Sequence, residues 1–191
     1  MRSAGLSLAV AAALAAAVAG YFALVPASPA NKVAGGIPAA QPVWTEVKWP
    51  FPIDQWGAGR AFACKATNCG AEVSLYLRAK LGSCNCTTGI AEDADLDRMS
   101  DFDLVGGEVS PLDAGRPIVV GSMKGRSRAY ALTARNRPGK SALSVAFNDR
   151  CDMIVATAVV PHDQAGTLEP GVMEFLNSRG VLHWAEIALG L

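Results

Sequence analysis

Residues 142–160 read ALSVAFNDRCDMIVATAVV, with an apolar run on each side of Asn148-Asp149-Arg150. Short apolar runs that contain β-branched and aromatic residues and are bounded by polar turn formers are typical of strands. The stretch therefore predicts two antiparallel strands, 142–147 and 153–160, joined by a turn at residues 148–150.

Further strand signals precede this pair. Residues 72–80 read EVSLYLRAK, in which apolar and polar side chains alternate, as they do in a strand with one buried face. A shorter strand is predicted at 61–64. Residues 116–123 and 128–134 predict two more strands, joined by a hairpin turn at Lys124-Gly125-Arg126.

Two segments have helical spacing. The acidic segment 92–104 carries Leu96 and Met99 on one side, which predicts a short helix. Residues 169–177 predict a second helix that has Pro170 in its first turn, where proline is tolerated. Residues 181–189 fit either a last strand or a further helix.

Strands dominate this pattern and follow one another closely, which favours antiparallel pairing over crossover connections. The expected fold class is therefore α+β. It comprises a mainly antiparallel sheet with a short acidic helix and a C-terminal helix, preceded by one N-terminal transmembrane or signal helix.

The N-terminal segment predicts export. Leu6 to Val25 reads LSLAVAAALAAAVAGYFALV, twenty residues without a charge, and a helix of that length spans about 30 Å, the thickness of a bilayer's hydrocarbon core. Arg2 precedes it and Lys32 is the first charge after it, so the positive-inside rule places Met1 in the cytoplasm and the remainder outside. An uncleaved anchor and a cleaved signal peptide both fit the segment.

Three parts of the chain follow from this interpretation. Residues 1–25 are predicted to be a signal anchor or signal peptide, 26–42 a Pro/Ala-rich tether, and 43–191 the exported domain. The expected location is a membrane that is crossed once, with the domain on its outer side. The alternative is secretion after cleavage. The expected partner is the membrane, through Leu6–Val25.

The charges balance, with 17 basic and 17 acidic residues, which argues against nucleic acid as a partner. The balance hides an acidic segment at 92–113 and a basic one at 126–140. These segments could pair inside the domain, or Arg126 and Arg128 could dock on an acidic partner or an anionic membrane surface.

Three of the four tryptophans lie within residues 44–56. This segment is either an aromatic strap that covers the edge of the core or, because tryptophan is enriched at interfaces, a partner surface. The candidate partner surface therefore comprises Trp44, Trp49, Trp56, Arg126 and Arg128.

Five cysteines occur in the sequence: Cys64, Cys69, Cys84, Cys86 and Cys151. All five are disulfide candidates, because an exported domain meets an oxidising compartment. Two bridges would leave one thiol, and Cys151 is either that thiol or a long-range partner. The spacing does not determine the pairing.

Two other interpretations concern Cys64, Cys69, Cys84 and Cys86 alone. Their thiolates would suit Cu(I), and a C-x-C pair can cycle as a dithiol. Zinc is disfavoured because structural zinc sites favour C-x2–4-C pairs. The leading interpretation contains no metal and no cofactor, and copper is the alternative.

Two stretches resemble small, membrane-anchored exported proteins of proteobacteria: WPFPIDQWGAGRAFAC at 49–64 and GSCNCTTGIAEDADLDR at 82–98. The resemblance implies a bacterial cell envelope and no activity. It thereby implies that the expected location is the bacterial inner membrane, crossed once, with the domain in the periplasm, or the periplasm itself after cleavage. It also implies an envelope protein as a partner.

The sequence contains no common hydrolase, metalloprotease or deaminase motif, so neither catalytic residues nor an enzymatic activity is predicted. The expected function is that of a membrane-tethered envelope protein whose disulfide-braced domain has a binding or assembly role in a larger envelope complex. The alternative is a periplasmic thiol-redox or copper-handling protein that uses the cluster of Cys64, Cys69, Cys84 and Cys86.

Overall fold

A computed structural model describes residues 42–106, 108–133, 139–161 and 164–191. Within these ranges the strands are β1 (Thr45–Val47), β2 (Arg60–Cys64), β3 (Val73–Lys80), β4 (Glu108–Pro111), β5 (Arg116–Val120), β6 (Met123–Thr133), β7 (Lys140–Asp149) and β8 (Asp152–Pro161). They form one eight-stranded sheet in the order β1-β2-β3-β8-β7-β6-β4, and β5 also pairs with β6. Every pairing is antiparallel.

Five helices lie in the same ranges: α1 (Ala66–Cys69), α2 (Asp93–Met99), α3 (Phe102–Val105), α4 (Ala165–Leu176) and α5 (Arg179–Leu189). Three of them have only four to seven residues. The sheet is therefore the main element of the described chain.

The central hairpin β7–β8 confirms the antiparallel pair predicted at 142–147 and 153–160. Both strands run further than predicted, and Asp149 pairs with Asp152. The turn therefore consists of Arg150 and Cys151, and Arg150 has a positive φ of 49°. Nearly every residue of the two strands is buried, so both faces of the hairpin require cover.

One face of the sheet is covered by α4 and α5. Each helix presents apolar side chains three or four residues apart, which pack on the apolar side chains of β3, β7 and β8. The buried helical side chains in this core are Ala165, Val172, Leu176, Val181, Ala185 and Leu189.

The opposite face is covered by α2, α3 and the segment before β2. Leu96 of α2 packs with Ile90 on Ala146, Met153 and Val155. Phe102 of α3 lies edge-on to Tyr130 of β6, with ring centroids 4.5 Å apart. This cover has shorter helices than the opposite one and contains the charged pairs of Arg78 and Lys80 with Asp101.

The predicted fold class is wrong. The described chain is mostly one antiparallel sheet with five short helices, whereas an α+β domain with one acidic and one C-terminal helix was expected. The expected acidic helix is split into α2 and α3, because Ser100 is extended and its hydroxyl contacts Leu96 O at 2.7 Å and Ser144 Oγ at 2.6 Å. At the C-terminus, extended Ser178 separates α4 from α5.

The predicted hairpin turn at Lys124-Gly125-Arg126 is also wrong. These residues lie inside β6, and the chain turns earlier, at Gly121 and Ser122. Gly125 is required by close approach within the sheet, since a Cβ placed on it would lie 2.0 Å from Ala146 O. A glycine that admits a neighbouring strand carries the same sequence signal as a turn glycine.

The C-terminal helices also differ from expectation. Residues 181–189 belong to helix α5, which resolves the two alternatives left open by the sequence. The helix predicted at 169–177 begins four residues earlier, at Ala165, so Pro170 lies inside α4 and not in its first turn.

None of the helices in the described ranges is both long and apolar enough to cross a membrane. The predicted anchor, Leu6–Val25, and nearly all of the predicted tether lie outside the described residues.

The close contact at Gly125 gives a stability prediction. Gly125→Ala should lower the free energy of unfolding by about 3 kcal/mol, because the new methyl group forces β6 away from β7. Urea denaturation under oxidising conditions measures this change. The matched control is Gly166→Ala in α4, where a Cβ meets nothing within 4 Å. It should be neutral or stabilising by up to about 1 kcal/mol. Equal unfolding curves for the two variants would contradict the assigned strand register.

Candidate functional site

The five cysteines form two disulfides and one free thiol. Cys64 pairs with Cys69, and Cys86 pairs with Cys151, which confirms the expectation of disulfide bonds. Cys84 is free. Of the two alternatives for Cys151, the structure shows the long-range disulfide partner and not the free thiol. The bridge joins residues that are 65 positions apart in the sequence.

The two disulfides differ in exposure. Cys64 is fully buried at the end of β2, and Cys69 closes the single turn of α1 behind it. Cys86, in contrast, is exposed, and Cys151 is part-buried in the β7–β8 turn. The first bridge belongs to the core, whereas the second can be reached from solvent.

The structure does not bring Cys64, Cys69, Cys84 and Cys86 together. The first two adjoin the start of β3, and the last two follow its end, eight residues of strand away. In the described ranges, no group of three or more His, Cys, Asp or Glu side chains is arranged to hold a metal ion.

Cys84 lies against the β7–β8 turn. Its amide donates to Cys151 O at 3.2 Å, and its thiol donates to Arg150 O at 3.3 Å. Burial raises the pKa of the Cys84 thiol above its ordinary value, and the carboxylates of Asp152 and Asp95 add to this effect. The free thiol is therefore mostly protonated at neutral pH.

The three tryptophans of the candidate partner surface lie on different parts of the fold. Trp44 stacks on Phe175 of α4 with ring centroids 5.1 Å apart. Trp49 lies edge-on to Tyr76, at 6.1 Å, on the other face. Trp56 covers the ammonium of Lys80 at 5.7 Å. The segment thus passes around the edge of the sheet, and its indoles do not form one patch.

A buried charge cluster lies beneath this segment. The guanidinium of Arg78 pairs with Asp101, with an Nε–Oδ2 distance of 3.1 Å, and with Asp54 at 2.6 Å. Lys80 Nζ reaches Asp101 at 2.9 Å and the carbonyl of Met99 at 2.7 Å. Arg78 and Asp101 are each at most 5% exposed. The cluster therefore joins β3 to the segment before β2 and to the junction between α2 and α3.

Arg126 and Arg128 have partners within the domain. Arg126 pairs with Asp93 and donates to Gly115 O at 2.9 Å. Arg128 pairs with Asp97 at 3.1 Å. The Gly115 amide, together with the Arg126 guanidinium, holds the pKa of Asp93 below its usual range. The acidic and basic segments identified in the sequence thus contact each other along β6.

A groove opens beside the start of β1. It has a volume of about 580 Å³, which is within the range of about 300–1,000 Å³ common for ligand sites. Its walls are α1, the N-terminal half of α4 and the chain before β1. The apolar lining residues include Pro42, Trp44, Leu168, Pro170 and Val172, and the polar ones include Asn68 and Glu174.

Local covalent and steric constraints shape this groove. The Cys64–Cys69 disulfide fixes α1, and Pro42 lies close to Gly171 of α4. Trp44, which lines the groove, has a buried indole N–H without a hydrogen-bond partner in the described part of the chain. An unsatisfied buried donor costs about 1–3 kcal/mol.

Sequence reasoning missed both the groove and the charge cluster. The groove depends on residues of α1 and α4 lying on opposite sides of the same space, an arrangement that no local pattern encodes. The cluster had a weak signal in the alternation of residues 72–80, which places Arg78 and Lys80 on the same face as Tyr76. Because the exposure of that face depends on the fold, the alternation could not show that these charges are buried.

No protein-family model and no curated protein matches this sequence. Among solved structures, the chain is similar to the crystal structure of PA94, a protein of unknown function from Pseudomonas aeruginosa. The two share 11% identity over 72% of this chain and 81% of that chain, with a TM-score of 0.37. A TM-score below 0.5 does not establish a common fold, so this likeness carries no functional meaning.

The charge cluster gives a second stability prediction. Asp101→Asn should lower the free energy of unfolding by about 3–5 kcal/mol, because it leaves two buried cations with only the partly exposed Asp54 as counter-charge. Thermal and urea unfolding measure this loss. The matched control is Arg98→Gln, which breaks an exposed pair with Asp95 and should cost less than about 1 kcal/mol. A loss for Asp101→Asn as small as that of the control would show that the cluster does not hold the two segments.

Proposed function

We propose that this chain is a membrane-tethered envelope protein whose disulfide-braced domain binds an extended, apolar segment of a partner polypeptide. The groove beside Trp44 is the observation that carries the binding role. The two disulfides and the sequence of residues 6–25 support the location.

The disulfides favour an oxidising compartment. Structural disulfides are rare where cellular reductants keep thiols reduced. The Cys64–Cys69 bridge is buried and shapes one wall of the groove, so an oxidising compartment would also preserve the binding surface. The domain would then be presented outside the inner membrane by the residues that precede Pro42.

The lining of the groove favours a polypeptide as the occupant. Apolar side chains of a peptide fit against Leu168, Pro170 and Val172. The groove also lies next to β1, whose outer edge pairs with no strand in the described ranges. Edge strands accept extended peptides through main-chain hydrogen bonds, and the three residues of β1 suit a short peptide segment, not a long ladder.

The location is tested by removing residues 6–25. In the full chain, we expect the protein in the inner-membrane fraction or, after cleavage, in the periplasm, with both disulfides formed. The deleted variant should stay in the cytoplasm with Cys86 and Cys151 reduced, as measured by fractionation and thiol alkylation. A full chain found in the cytoplasm with all thiols reduced would contradict the proposed location.

The binding role is tested by filling the groove. A displayed library of random peptides is selected on the protein, and the affinity of selected peptides is measured by fluorescence anisotropy. We expect apolar peptides whose affinity falls at least tenfold in Thr167→Trp, because the exposed Thr167 lines the groove.

The matched control is Thr88→Trp, an exposed threonine outside the groove. Its affinity for the same peptides should be unchanged. Equal binding to both variants, or selection of no peptide, would show that the groove is not a peptide site.

A further inference from the structure

Cys151 has two neighbouring cysteines in the segment Cys84-Asn85-Cys86. It is bonded to Cys86, with the two Cα atoms 4.1 Å apart. Its carbonyl also accepts the amide of Cys84 at 3.2 Å. The free thiol of Cys84 and the Cys86–Cys151 disulfide therefore lie close to each other.

The position of Cys84 fits a second pairing. The Cys84 thiol lies 3.3 Å from Arg150 O, the carbonyl bonded to the amide nitrogen of Cys151. A backbone hydrogen bond between two residues places their Cα atoms near the distance that a disulfide spans, about 4.4–6.8 Å. Cys84 is therefore the candidate to replace Cys86 as the partner of Cys151.

Hydrogen bonds hold this arrangement in place. Asn85 Oδ1 accepts the amides of Thr87 and Thr88 at 2.9 and 3.1 Å. On the other side, Asn148 accepts the amide of Ile90 and donates to Arg150 O, both at 3.1 Å. The C-x-C segment is therefore fixed against the β7–β8 turn, and the local concentration of the free thiol near the disulfide is high.

We propose that Cys84, Cys86 and Cys151 form a thiol–disulfide exchange site that transfers the free thiol from part-buried Cys84 to exposed Cys86, where it reacts with disulfide-containing substrates. This inference does not depend on the groove, so either proposal can fail without the other.

The exchange is balanced within the protein. Cys84 gives its proton to water, and its thiolate attacks Cys151 Sγ. The Cys86–Cys151 bond breaks, the Cys84–Cys151 bond forms, and Cys86 leaves as a thiolate that takes up a proton. One disulfide and one thiol remain, so no oxidant or reductant is consumed.

The second step defines the substrate class. The Cys86 thiolate attacks a sulfur of an external disulfide, forms a mixed disulfide with one half and releases the other half as a thiolate. When the released thiolate attacks the mixed disulfide, it re-forms the external disulfide and leaves Cys86 free again. The substrate is therefore a small-molecule or protein disulfide that can reach exposed Cys86.

The environment of Cys84 controls the rate. Because burial raises the pKa of this thiol, and Asp152 and Asp95 raise it further, the nucleophilic thiolate is scarce at neutral pH. Exchange should therefore be slow at neutral pH and become faster as the pH rises toward that pKa.

The alternative pairing is tested with Cys86→Ser in the full chain, oxidised in a glutathione redox buffer. We expect a Cys84–Cys151 disulfide and no free thiol by mass spectrometry. The matched control is Cys69→Ser, which leaves Cys64 buried without an alternative partner and should contain two free thiols, Cys64 and Cys84. Free thiols at both Cys84 and Cys151 in folded Cys86→Ser would overturn the proposal.

The wild-type chain provides a test that does not depend on a variant. The protein is incubated with oxidised glutathione across a pH series, quenched in acid, blocked with N-ethylmaleimide and mapped by peptide mass spectrometry. We expect glutathione on Cys86 together with a Cys84–Cys151 disulfide, at a rate that rises with pH. Glutathione found on Cys84 alone, or on no cysteine, would overturn the proposal. If Cys86→Ser does not fold, this wild-type experiment is the decisive test.

Discussion

Burial of the β7–β8 hairpin on both faces is the constraint on which the rest of the structure depends. Almost no residue of these two strands is exposed, so the chain must supply a cover for each side. Burial of apolar surface is the main favourable term in folding. On one side of the hairpin, α4 and α5 supply the apolar side chains whose burial gives this favourable contribution.

The second cover works differently. It is built from an aromatic segment, two very short helices and a loop, and it contains charged side chains that face the sheet. Charges at such depth persist only when they are paired and hydrogen-bonded. The ion pairs of Arg78, Lys80 and Arg126 therefore fix the position of this cover on the sheet, since they connect segments that share little apolar contact area.

The parts of the fold that the sequence predicted are those determined by local pattern. The apolar runs of β7 and β8 and the alternation in β3 depend on neighbouring residues alone. Gly125 misled the prediction, because the close approach of β7 requires this glycine and no turn occurs there. The helix boundaries near Ser100 and Pro170 were also misplaced, since local spacing alone does not determine where a helix begins or ends. The cysteine content predicted disulfides, but their pairing depends on which strand ends meet in the fold. The groove was not predictable for the same reason, because α1 and α4 are far apart in the sequence, with strands β3 to β8 between them.

The open edges of the sheet have a further consequence for the behaviour of the protein at high concentration. Pro42 and Pro50 flank β1, and the opposite edge is divided between β4 and β5, which contain Pro111 and Pro117. Proline lacks the amide that a new strand would need, and short edge strands offer little length for pairing. In the described chain, neither side of the sheet presents a long uninterrupted ladder, and growth of the sheet into amyloid-like stacks is thereby opposed.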